Sequence, residues 1–122
     1  MIVAVAVGGA GGALLRYWMA SWLYGWLGRG FPIGTLAVNV LGSLAMGYLW
    51  IVMAARLEPN SPLRAGIMIG FLGAFTTFST FSLETVALMQ SGDLGKAALN
   101  ILSSVVLCVA ACALGMVLAR AL

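Results

Sequence analysis

Apolar residues run almost unbroken along this chain, and the polar positions that interrupt them fall into a few short clusters. Residues 35–55 and 97–119 carry no charged side chain, and each stretch reaches the roughly 20 residues an α-helix needs to cross hydrocarbon. They predict spanning helices at about 35–55 and 94–120. Residues 2–27 predict another, with Arg16 late in the segment and Tyr17, Trp18, Trp22, Tyr24 and Trp26 gathered toward its end, as aromatic residues gather at a membrane–water interface. No positive residue precedes that apolar run, so it reads as a retained span and not a cleavable leader.

The remaining span, 62–91, opens with Ser61 as N-cap and Pro62 at the first helical position, and closes at Ser91-Gly92. A straight helix from Pro62 to Gln90 would extend about 43 Å, against about 30 Å of hydrocarbon. Its middle reads Gly70-Phe71-Leu72-Gly73-Ala74-Phe75-Thr76-Thr77, where glycines and hydroxyls weaken the helix. A break is predicted near Gly73 to Thr76. The connections are short, at 28–34, 56–61 and 92–96, the last with Asp93 as a predicted N-cap. Small residues four apart, Gly8 and Gly12, Ser43 and Gly47, and Gly66, Gly70 and Ala74, predict ridges where helices approach closely.

Composition agrees with this pattern. The 122 residues are 63 % hydrophobic and 7 % charged, where a water-facing domain needs roughly a quarter charged. The fold class is therefore an all-α integral membrane protein, a single membrane domain over 1–122 with four transmembrane helices, the third broken near its middle. Membrane lipid is its surroundings, and a nucleic-acid partner is not expected. With no histidine, and no Ser/His/Asp or Cys/His set, most hydrolase and metalloenzyme chemistry is excluded, and the chain does not read as an enzyme. Cys108 and Cys112 lie four apart in an apolar run, where two small hydrophobes fit better than a metal pair.

Four spans put both termini on one side with Arg56, Arg64 and Arg120; Arg29 and Lys96 lie on the other, joined there by Arg16 if it is counted. A Lys/Arg bias near zero leaves orientation undetermined, so two copies can insert oppositely and pair about a two-fold axis in the membrane plane. Four helices enclose little space, and an antiparallel homodimer is the expected working unit.

The polar residues inside the spans are mostly uncharged donors: Asn39 and Ser43; Thr76, Thr77, Ser79, Thr80, Ser82 and Thr85; Asn100, Ser103 and Ser104. A cation path calls for carboxylates at its narrowest part, whereas hydroxyls and amides with basic residues near the mouths suit a small anion. Asn39 either lines such a route or makes an interhelical hydrogen bond that holds the bundle. Asn100, Ser104 and Cys108 recur every four residues as a ladder, although serines also bond back to their own helix. Phe75, Phe78 and Phe81 either face lipid and core or turn positive ring edges toward an anion. At a break, carbonyls of the first half-helix lose their partners. Two breaks meeting on the two-fold axis would make an all-oxygen cage for a Na⁺-like ion, the alternative being a kink sealed by neighbouring hydroxyls. Glu84 is the one acid within a span, placed either at the pathway, as a proton-coupled switch, or simply at the surface. Arg16 either snorkels to the interface or lines a wet vestibule.

Three motifs stand together: Gly8-Gly9 through Gly12-Ala13 to Arg16-Tyr17; Gly34-Thr35-Leu36-Ala37-Val38-Asn39-Val40-Leu41-Gly42-Ser43; and Gly73-Ala74-Phe75-Thr76-Thr77-Phe78-Ser79-Thr80-Phe81-Ser82. In that order and spacing they resemble the CrcB/Fluc family of fluoride channels, from the first helix to the fourth. The resemblance implies a dual-topology homodimer with two antiparallel pores, exporting fluoride passively across the cytoplasmic (inner) membrane and so reducing its toxicity. By this likeness Asn39 and Thr77 line the fluoride pathway, Phe78 and Phe81 supply aromatic boxes, and Ser104 and Cys108 form a polar track. It further puts Glu84 along or near the route and Arg16 at a vestibule, with the backbone carbonyls of Gly73 and Thr76 from both subunits holding a structural Na⁺ at the dimer interface. Ala74 stands where a second glycine is common in the family, and Cys108 offers a weaker donor than serine.

Two rival readings remain at this level. A small antiparallel proton-coupled exporter of organic cations would need Glu84 at the centre of its site, and a purely structural membrane subunit would pass no ion.

Overall fold

The computed structural model describes every residue from Met1 to Leu122. Helix α1 (Ile2–Leu27) stops at Gly28, whose φ of 75° would strain a side chain, and whose N–H still closes the last turn on the Tyr24 carbonyl at 2.9 Å. Helix α2 (Ile33–Arg56) enters at Pro32, and α3 (residues 62–75) enters at Pro62 with Ser61 as its side-chain cap. Helix α4 (Phe78–Gln90) ends before Gly92, at φ 84°, and α5 (Leu94–Ala121) completes the chain. No strand forms. Asp93 occupies the N-cap position of α5 without capping it; its carboxylate accepts instead from the Ser91 hydroxyl at 3.4 Å.

Four segments, α1, α2, α3 with α4, and α5, are long and apolar enough to cross a membrane. Only 21 of 122 residues are buried, and large side chains such as Ile2, Trp18, Trp22, Leu102 and Val109 point outward. In water such a surface would aggregate, whereas hydrocarbon tails make it the stable outside. The chain is a multi-pass membrane protein.

The third span departs from a plain helix twice. From Gly66 to Leu72 it is π-helical, a wider turn that sequence patterning did not foresee. The helix then continues through Gly73 (φ −62°, ψ −35°) and ends at Phe75; the chain is extended at Thr76 (φ −87°, ψ 157°) and Thr77 (φ −151°, ψ 121°). The interruption therefore falls at the Thr76 end of the Gly73 to Thr76 stretch expected for it. Glycine weakens a helix without offering its backbone another partner, whereas the threonine hydroxyls here supply one on each side of the gap.

Close packing rests on glycine. A Cβ at Gly8 or Gly12 would strike the carbonyls of Gly66 or Phe71, so α1 lies directly on the π-helical stretch. Gly47 and Gly115 likewise bring α2 and α5 into backbone contact, at the Cys112 and Leu44 carbonyls. Ser43, expected on the same ridge as Gly47, lines a cavity instead, and Gly115 was not singled out by the sequence pattern. Apolar helices gain nothing from leaving lipid for each other, so van der Waals contact must hold them. Gly47→Val is expected to destabilise the protein by about 3 kcal/mol or more, since the helices would have to separate. Thermal unfolding in detergent checks this, with Gly25→Val as control because Gly25 faces open space.

Candidate functional site

The site grows from the gap between α3 and α4. Thr76 closes the end of α3 twice over, its N–H and its hydroxyl both donating to the Leu72 carbonyl at 3.1 and 3.0 Å. Thr77 caps α4, its hydroxyl oxygen accepting from the Thr80 N–H at 3.2 Å. That leaves the backbone of Thr77 itself, and Asn39 on α2 meets it with both ends of its amide. The side chain donates to the Thr77 carbonyl at 2.9 Å and accepts from the Thr77 N–H at 2.7 Å, the two-bond pairing of neighbouring strands. Non-helical backbone at membrane depth needs partners for its polar groups, and Asn39 supplies them for Thr77.

On one side of the gap lies a cleft of about 360 Å³. Asn39 and Ser43 reach it from α2, Thr76 and Thr77 from the gap, Phe78 and Phe81 from α4, and Ser104 and Cys108 from α5. The Phe78 and Phe81 rings stand 5.3 Å apart between centroids, tilted by 48°. Phe81 is buried while Phe78 is 77 % exposed at the outer lip. No charged side chain lines the cleft.

On the other side lies a second cavity of about 330 Å³, lined among others by Arg16, Tyr24, Arg29, Thr35, Thr80 and Glu84. Its carboxylate is held by neutral donors: the Tyr24 hydroxyl donates to one Glu84 oxygen at 2.7 Å, and the Thr35 hydroxyl donates to the other. The Thr35 N–H in turn donates to the Tyr24 oxygen at 3.2 Å. The Arg29 guanidinium lies 4.6 Å from the centre of the Tyr24 ring, and the buried Nε of Arg16 has no hydrogen-bond partner. Two arginines outnumber one carboxylate, so the cavity favours an anion. Thr77 lines both cavities and is the one expected pathway residue that does so.

Of the residues singled out from sequence, Asn39, Thr77, Phe78, Phe81, Ser104 and Cys108 thus share the cleft, while Glu84 and Arg16 sit across the gap from it. Asn100 does not join Ser104 and Cys108 on a common surface; it is only 2 % exposed and faces inward between helices. Ser43, Tyr24 and Thr35 were missed as site residues. Tyr24 reads locally as one more interfacial aromatic, and its hydroxyl meets Glu84 only because residues 60 positions apart come together.

Comparison with known proteins places the sequence. The family described as "CrcB-like protein, Camphor Resistance (CrcB)" matches residues 3–116. A fluoride-specific ion channel FluC of Methylococcus capsulatus is 59 % identical over 121 residues, covering 99 % of this chain and 53 % of that protein. The chain therefore spans about half the length of that relative. Proteins of the same name are 56 % identical over 116 residues in Magnetococcus marinus, covering 95 % of this chain and 94 % of that one, and 49 % over 120 in Geobacter metallireducens, covering 98 % and 96 %. With nearly the whole sequence matched, and with the interrupted span and its Asn39 clamp lying within the match, this chain belongs to the CrcB-like family.

Proposed function

We propose that the protein is a fluoride-selective channel, a passive exporter in the bacterial inner membrane that keeps cytoplasmic fluoride below toxic levels. The observation that carries this is the cleft itself: an uncharged wall of hydroxyl, amide and thiol groups set among Phe78, Phe81 and aliphatic side chains, joined through Thr77 to a cavity with two arginines. The names of the relatives support the choice of ion. Fluoride is small and tightly hydrated, so a pore must replace its shell with several donors in sequence, each weak enough to let go. Arginines draw the anion to one mouth without occupying the narrow part, and the hydroxyls of Thr77 and Ser104, the remaining N–H of Asn39 and the ring edges of Phe78 and Phe81 are the successive contacts.

The exporter reading has lost its basis, because Glu84 stands outside the cleft with both oxygens engaged by Tyr24 and Thr35. A second, oppositely inserted copy completes the proposal. The near-even charge tally permits it, and the exposed Phe78 ring at the lip of a half-open cleft gives it a wall to close. A structural Na⁺ at the meeting of the two gaps fits the donor set. No hydrogen bond reaches the Thr76 carbonyl, and the Thr77 N–H, which would otherwise continue the helix onto Gly73, is taken by Asn39. Carbonyl oxygens of Gly73 and Thr76 are hard ligands suited to such a cation, whose charge would neutralise the helix end.

Proteoliposomes loaded with fluoride and chloride, diluted into halide-free buffer and followed with ion-selective electrodes, test the function. Fast release of fluoride with chloride retained is expected. Vesicles containing folded protein that hold both ions would overturn the reading.

A further inference from the structure

Val38 and Asn100 are the largest fully enclosed side chains in the molecule, and Asn100 is polar. Its Nδ2 donates to the Thr85 hydroxyl at 2.9 Å, which donates to the Phe81 carbonyl at 2.7 Å. At its other end Oδ1 accepts from the Ser104 hydroxyl at 3.4 Å. Phe81 and Ser104 line the cleft, whereas Asn100 and Thr85 lie behind it. The bond between Asn100 and Thr85 is also the one side-chain hydrogen bond joining α4 to α5.

Several hydroxyls in the spans bond back to a carbonyl four residues earlier, at close range: Ser103 to Leu99 at 2.6 Å, Thr85 to Phe81 at 2.7 Å, Ser82 to Phe78 at 2.9 Å. The Ser104 hydrogen instead rests on a side-chain amide, at a long distance. The other end of the same amide is tied to Thr85 on α4. Resting on the fluoride-channel reading above, we propose that Asn100 is a positioning residue for ion passage. It holds the Ser104 hydrogen on a deliberately weak bond, from which a passing anion takes it and to which it returns when the anion leaves. Without Oδ1 the hydroxyl would turn onto its own helix, as its neighbours do, and the anion would have to break a shorter and stronger bond.

Fluoride efflux as a function of fluoride concentration tests this in wild type, Asn100→Leu, Thr85→Val, Ser104→Ala and the Asn100→Leu/Ser104→Ala double variant. Asn100→Leu is expected to raise the half-saturating fluoride concentration about fivefold, the equivalent of one modest hydrogen bond, with the maximal rate changed less than about twofold. Thr85→Val, which releases the anchored end of the amide, should move it in the same direction. In the Ser104→Ala background Asn100→Leu should add nothing. A half-saturation that stays put while the maximal rate falls, or an equal shift without Ser104, would make Asn100 a packing residue and overturn the proposal. Should Asn100→Leu not fold, Thr85→Val with and without Ser104→Ala decides by the same criterion. Retention of fluoride by wild-type vesicles would overturn the channel reading itself, and this inference with it, an outcome distinct from any behaviour of the variants.

Discussion

Phe81→Ile is expected to slow fluoride efflux at least about tenfold, and Phe78→Ile/Phe81→Ile about a hundredfold, with chloride still retained. Isoleucine restores much of the apolar volume, so the cleft keeps its shape within the tolerance of core substitutions. What it lacks is the ring quadrupole, whose positive edge can meet a partly dehydrated anion, an interaction of about 1.4 kcal/mol per ring and hence roughly tenfold in rate for each. The two positions differ in an informative way. Phe81 is buried within one chain, while Phe78 is 77 % exposed on its lip. Phe78→Ile matching Phe81→Ile in severity is expected if a second copy closes over that ring; a Phe78 variant that conducts like wild type would count against a cleft completed by a partner. Undiminished flux in the double variant would remove the aromatic edges from the mechanism.

Asn39→Leu is expected to cost at least about 2 kcal/mol of stability and to abolish most of the flux, because it strips the partners from both the N–H and the carbonyl of Thr77 at once. The two Asn39 bonds, at 2.9 and 2.7 Å, leave Thr77 neither free to rejoin a helix nor short of partners. Asn39→Asp separates the two bonds: the carboxylate still accepts from the Thr77 N–H but has no donor for the Thr77 carbonyl, and it adds a negative charge to an anion route. It is expected to fold better than Asn39→Leu and yet to conduct poorly. Thermal unfolding in detergent alongside fluoride efflux distinguishes these effects. An Asn39→Leu protein with wild-type stability and flux would show that the gap is held by something else.

Much of the site could be read from the chain, and the parts that could not have a common cause. The run from Gly70 to Thr77 marks the interrupted span because glycines and hydroxyls cluster where a helix has no other reason to weaken. Local pattern, however, locates the weakest helix former and not the first residue with a better partner. Gly73 therefore stays helical, and Thr76 and Thr77, with hydroxyls and Asn39 at hand, do not. Ser104 and Cys108 lie on the cleft as their spacing suggested. Asn100, in the same register, is turned inward because Thr85 meets it across the helix pair. Glu84 stood out as the lone acid in a span, but whether it faced the route or a hydroxyl pair depended on Tyr24 and Thr35, residues remote in sequence.

What the amino-acid order determined alone is set by distances along the chain: the apolar lengths, and with them four membrane crossings, the want of charge, and the clustering of neutral donors around one weak stretch. A bilayer reads these features residue by residue, since each helix satisfies its own backbone. Tertiary structure alone decided which face each polar group presents. Helices without a hydrophobic drive toward one another settle where glycines let backbones touch, as at Gly12 against Phe71 and Gly47 against Cys112. Those contacts bring Asn39 to Thr77 and Tyr24 to Glu84, and so make of scattered donors two cavities that meet at one threonine.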